Sequence, residues 1–212
     1  CNRSPDNIDP TRQTKSVFWP AEEAIARGYA IAAFYNADVD PDKHDGFKDG
    51  IHGLLDGGSR PADAWGTIAA WAWGASRCMD YFETDKDIAN DKVAVIGHSR
   101  GGKTALWCGA QDGRVALAIS NNSGTTGAAI TRGNTVETVT QINTRFPHWF
   151  ARNYHRYNDA ENALPMDQHM LLALMAPRLV YVASASGDVA ADMRAEFRAC
   201  VEAAPVYQLF QQ

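Results

Sequence analysis

The chain has 212 residues, 45% of them hydrophobic, with 20 Lys and Arg against 25 Asp and Glu and a formal net charge of -5. That is enough apolar material for one substantial core, so a single domain is expected, and its scattered cations offer no basic field for a phosphate backbone. Nucleic acid is therefore a poor candidate partner, and no apolar run reaches the ~18 residues needed to cross a bilayer, so no membrane partner is expected.

The opening "CNRSPDNIDPTRQ" is polar, with neither an apolar signal core nor an initiating Met, and reads as a start inside a longer protein. Four runs follow that are apolar, β-branched or aromatic and bounded by turn formers: 29–35, 93–96, 115–120 and 179–185. They read as buried parallel strands. Helical periodicity fills the intervals at 62–81, where Trp65, Ile68, Ala69, Ala72 and Trp73 recur on one face, and at 103–110, 136–142, 167–175 and 191–203. Alternating strand and helix predicts an α/β fold, a mostly parallel sheet sandwiched by helices. Segments 36–60, rich in Asp and Gly, and 121–165 break the alternation and read as loop or lid insertions. The four cysteines, Cys1, Cys78, Cys108 and Cys200, lack metal-ligand spacing, and their disulfide state stays open.

One motif carries chemistry. Gly97-His98-Ser99-Arg100-Gly101 in "VAVIGHSRGGKTALW" satisfies G-x-S-x-G between a strand and a helix, the context of a nucleophile elbow in the α/β-hydrolase fold. Ser99 is then the expected nucleophile, with Gly97 and Gly101 leaving room for the strained turn. The backbone N–H of Arg100, at the helix start, can face a developing oxyanion. A Gly-Ser turn that merely packs a strand on a helix is the plainer alternative.

The acid should lie on a loop at the carboxyl end of a later strand. Run 179–185 ends in "SGD", which nominates Asp188, although an Asp there could instead cap the next helix. The base is harder to place: the histidines are His44, His52, His98, His148, His155 and His169, and none follows Asp188. The main expectation is an internal piece of a longer hydrolase whose catalytic His lies beyond Gln212. His169, near the start of the helix leading into the Asp188 strand, is the runner-up, but it would invert the usual chain order and could equally hold a loop carbonyl. His98 should turn its ring into the packing of the elbow.

The chain resembles the glucuronoyl esterases, carbohydrate esterases with the α/β-hydrolase fold. The matching stretches are "RGYAIAAFYNADVDPD", "DAWGTIAAWAWGASRCMDY", "IGHSRGGKTALWCGAQD", "ISNNSG", "NTRFPHWF", "LPMDQHMLLALMAPR" and "GDVAAD". The Ser-Arg-x-Gly-Lys extension of the elbow is the most restrictive of these, and His98 before the Ser is similar to bacterial members. The resemblance implies cleavage of the ester between lignin alcohols and the 4-O-methyl-glucuronic acid branches of xylan, with no metal and no organic cofactor. It implies Ser99 as nucleophile, Arg100 as a side-chain partner of the oxyanion, and Lys103 and Glu137 as holders of sugar hydroxyls. A secreted or periplasmic monomer is also implied.

Three departures qualify it. Asn122 stands where some members carry a Glu acid, which leaves Asp188 as the acid. Ala190 stands where a Trp would wall the sugar site, so the pocket should be more open. The family's catalytic His is absent, and a Ser without a base loses several orders of magnitude in rate. The second hypothesis, of a different class, follows from the last two: a catalytically impaired saccharide-binding remnant. Trp149 is expected in core or lid packing, with stacking on a sugar as the alternative.

Overall fold

The computed structural model describes residues 19–210, which fall into two compact units divided between Phe34 and Tyr35. In the first, helix α1 (Ala21–Ala26) is followed by Gly28 at a φ of 87°. The strand expected at 29–35 does not form among the described residues. Its apolar residues are exposed, Tyr29 at 70%, and no neighbour supplies the ladder that turns β propensity into a strand.

The second unit is built on a parallel sheet. Strands β1 (Ala94–His98), β2 (Leu117–Asn121) and β3 (Leu179–Ala183) lie side by side in that order. The register sets Val95, Ala118 and Val180 in one row and Ile96, Ile119 and Tyr181 in the next. Because side chains alternate between faces, the two rows meet different surroundings. The first packs on a core of Leu106, Leu172, Met175, Ala199 and Ala203. Those residues come from α5 (Arg100–Gln111), α7 (Gln168–Ala173) and its following turn, and α8 (Met193–Leu209). In the second row, Ile96 is 53% and Tyr181 60% exposed.

Helix α4 (Thr67–Phe82) packs along α5, with Ala72 and Met79 against Cys108 and Val115. It starts later than the periodicity predicts because Gly66 is extended at its N-cap. Helix α8 runs past the expected end and continues through Pro205. Tyr207, two residues on, packs against the core and donates its hydroxyl to the Leu172 carbonyl at 3.4 Å, contacts that offset the amide hydrogen bond a proline removes.

The two expected insertions contain short elements of their own. Segment 36–60 holds α2 (Asn36–Val39) and α3 (Gly50–Leu55), and 121–165 holds α6 (Val139–Arg145) with two 3-10 turns. Helix α6 begins at a capping box in which Thr138 and Gln141 satisfy each other's backbone amides. Its Ile142 joins Ile68, Trp71 and Trp149 in a second core, and Phe146 and Trp149 stack 3.7 Å apart. Trp149 is 3% exposed, which answers the expectation of core packing. Cys78, Cys108 and Cys200 are free thiols, and Cys1 lies outside the described residues. Among the described residues no helix is long and apolar enough to cross a membrane.

Candidate active site

Ser99 sits between β1 and α5 with φ 54° and ψ -121°, a conformation costly for a residue with a Cβ and one that recurs at functional turns. It occupies the N-cap of α5, where a Ser hydroxyl ordinarily accepts from the first-turn amides, yet makes no capping hydrogen bond. The hydroxyl is therefore free of structural duty, and the amides of the first turn stay open at the positive end of the helix. Ser99 N donates to the Asn121 carbonyl at 2.8 Å, which fixes the turn to the end of β2.

The two glycines of the motif are not equivalent. A Cβ on Gly97 would lie 2.0 Å from the Gly101 carbonyl oxygen, whereas a Cβ on Gly101 would meet nothing within 4 Å. Gly97 alone supplies the steric room, and Gly101 contributes the backbone that passes over it. His98 also departs from expectation: it is exposed, and its Nδ1 lies 2.7 Å from Oδ1 of Asn121 instead of packing into the elbow.

Asp188 lies on the loop after β3, on the same edge of the sheet as Ser99. Its Oδ2 accepts from Nδ2 of Asn122 at 2.8 Å, and its Oδ1 takes no hydrogen bond among the described residues. The capping alternative does not hold, because Asp188 makes no side-chain cap and Asp192 caps α8 by accepting from Ala195 N. Asn122 is itself fixed. Its Oδ1 accepts from Ala185 N at 2.9 Å, which turns the amide NH2 toward Asp188, and its backbone N–H donates to the Ala183 carbonyl. Asn122 thus spans the loops after β2 and β3, a linking role that its place in "NNSG" did not reveal.

Lys103 rises from the first turn of α5 but is only 5% exposed. Its ammonium donates to the carbonyls of Ser123 and Thr125. Burial pulls its pKa down to about 8, with the carboxylates of Glu137 and Glu196 resisting the fall. Glu137 is joined to the same loop through its own carbonyl, which accepts from the Thr125 hydroxyl at 2.6 Å. Glu196, on α8 and fully buried, accepts from Gly124 N at 2.8 Å and from the Ser184 hydroxyl, clasping the loops after β2 and β3.

Arg100 follows Ser99 in the chain, with its guanidinium paired to Asp42, a residue of segment 36–60 that the sequence did not single out. His169 forms no hydrogen bond with Ser99 or Asp188 among the described residues, and its Nδ1 is buried without a partner. Ala190 is exposed on the turn after Asp188. Among the described residues no cluster of His, Cys, Asp and Glu could hold a metal ion.

A parallel α/β sheet that carries a strained serine at the strand-to-helix turn, with an acid on the loop of a later strand, defines the α/β-hydrolase class. Comparison with known proteins narrows the class. The model of the family "Glucuronyl esterase, fungi" matches residues 18–211, and the chain belongs to the glucuronoyl esterase family. It is similar to carbohydrate esterase MZ0003 from an unknown prokaryotic organism, 53% identical over 194 residues that cover 90% of this chain and 45% of that protein. A solved glucuronoyl esterase from Solibacter usitatus is 52% identical, superposes with a TM-score of 0.87, and is matched over 92% of this chain and 50% of its own. A serine-to-alanine mutant of a glucuronoyl esterase from Sporotrichum thermophile, solved in complex with methyl 4-O-methyl-beta-D-glucopyranuronate, is 29% identical with a TM-score of 0.73, over 82% of this chain and 50% of its own. The chain spans about half the length of these relatives.

Proposed function

We propose that these residues form the nucleophile-bearing part of a serine carboxylic ester hydrolase that cleaves glucuronoyl esters linking lignin alcohols to 4-O-methyl-glucuronoxylan. The observation that carries the reading is Ser99: an N-cap serine held at positive φ whose hydroxyl caps nothing. The complex of the Sporotrichum thermophile relative with a methyl glucuronate supports the substrate class.

In this reading Ser99 Oγ attacks the ester carbonyl. Its proton passes to a histidine base and then to the departing alcohol, and water releases the uronic acid from the acyl-enzyme. The amides at the start of α5 and the Arg100 guanidinium face the oxyanion. Asp188, with one oxygen held by Asn122, keeps the other to orient the base. Lys103 and Glu137 stand on the loop side of the site as contacts for sugar hydroxyls, and Ala190 leaves that side open. The base in this reading is a histidine beyond Gln212, and His169, which is hydrogen-bonded to neither Ser99 nor Asp188 among the described residues, is the alternative. No metal or organic cofactor enters. The enzyme works outside the cytoplasm, where its polymer substrate is.

The test is hydrolysis of the benzyl ester of glucuronic acid by the 212-residue chain and by the longer natural chain, each beside a Ser99→Ala variant. Cleavage that requires the longer chain and is abolished by Ser99→Ala supports the reading. Cleavage by the short chain would make His169 the base. Saccharide binding by the longer chain, with neither cleavage nor labelling of Ser99 by a fluorophosphonate, would support the impaired remnant instead.

A further inference from the structure

We infer that Asp42 is a positioning residue for ester cleavage, acting through the guanidinium of Arg100, the residue that follows Ser99; the inference rests on the esterase reading above. Asp42 lies just beyond α2, remote in sequence from the elbow, and its two oxygens are divided between different duties. Oδ1 accepts from Nε2 of His148 at 3.0 Å and from Nε1 of Trp149 at 2.8 Å, while Oδ2 accepts from Nη1 of Arg100. His148 and Trp149 are 4% and 3% exposed, so the Oδ1 side is locked by two buried donors and Oδ2 is presented in one direction.

Arg100 is constrained on its faces as well. Its Cζ lies 4.9 Å from the Trp149 ring centroid and 5.2 Å from that of Phe146. A long side chain that would otherwise sample many rotamers is thus aligned by the carboxylate and supported by stacked rings. The arrangement is poorly explained as a stabilising device, since an ion pair this open to water contributes little. Its product is orientation. The Arg100 side chain keeps 41% exposure, so its remaining donors are open to an arriving carbonyl oxygen, and donors fixed beforehand need no reorganisation when charge develops. Burial would raise the Asp42 pKa, but the hydrogen bonds from His148 and Trp149 and the Arg100 charge overcome it and hold the carboxyl at about 2, so the clamp stays charged at working pH.

The experiment uses the longer natural enzyme with the benzyl ester and a double-mutant cycle between Asp42→Asn and Arg100→Ala. Asp42→Asn is expected to lower kcat by about 10- to 100-fold with KM changed by less than about threefold, and to cost nothing further when Arg100 is already Ala. Asp42→Glu should recover part of the loss. An equal cost on both backgrounds, or an unchanged kcat in folded Asp42→Asn, overturns the inference. Should Asp42→Asn fail to fold, Trp149→Phe decides: it removes one Oδ1 anchor and keeps an aromatic ring, and its kcat loss must likewise vanish on the Arg100→Ala background. A Ser99→Ala enzyme that still cleaves the ester would refute the esterase reading itself, whatever Asp42 does.

Discussion

At the scale of single residues, the glycines of the elbow give the sharpest contrast. Gly97→Ala forces a Cβ into the Gly101 carbonyl, backbone that cannot step aside, and should cost several times the ~1 kcal/mol typical of a point change. Gly101→Ala has open space in the first turn of α5 and should raise stability by no more than about 0.5–1 kcal/mol, as urea unfolding of the two variants can measure. The motif pattern weights both glycines alike, because it records spacing and not which of the two backbones is overlaid. Lys103 carries a pH prediction. Its folded pKa of about 8 lies below the ordinary 10.5, so between those values the unfolded chain holds more protons. Stability should therefore rise with pH across that window, and Lys103→Met should flatten the rise. Over the same range the ammonium is lost, and KM for the uronate ester should climb. The sequence placed Lys103 one turn after Ser99 but could not show that carbonyls 20 and 22 residues away would bury it.

At the scale of elements, the helices were legible from apolar residues recurring at helical spacing and β1 to β3 from short apolar runs between turn formers, but the burial expected of those strands is not met in β1 and β3, which hold no buried residue. What was not legible depends on partners distant in sequence. Segment 29–35 has the composition of a strand and, among the described residues, no ladder to join, whereas α8 overrides Pro205 because Tyr207 reaches Leu172. Asp188 and Asp192 are two similar loop carboxylates with separate work, and the sequence could not divide it between them. Asp192→Ala should cost about 1 kcal/mol through the lost α8 cap, and Asp192→Gly less, because Gly also tolerates the φ of 49°. Asp188→Ala should leave the melting temperature nearly unchanged and remove ester cleavage, measured side by side in the longer enzyme. The roles of Asn122 and Asp42 stayed hidden for the same reason, since each joins segments far apart along the chain.

At the scale of the whole molecule, one face of the parallel sheet is open, with Leu179, Tyr181 and Ile96 all more than half exposed. Parallel sheets ordinarily cover both faces, and an open apolar face is adhesive. The 212-residue chain alone should bind an apolar dye and associate with itself, and Ile96→Thr with Tyr181→Thr should reduce both, as light scattering can follow. The carboxyl ends of the same strands have another character. Ser99 is bonded to Asn121, the neighbouring Asn122 to Ala183, and the Asn122 side chain to Asp188, so the proposed nucleophile and acid are separated by a few short links and not by the slack of two loops. They should keep step until the sheet itself gives way. On warming, the longer enzyme would then lose activity and secondary structure at one temperature, with no interval in which it is folded but already silent.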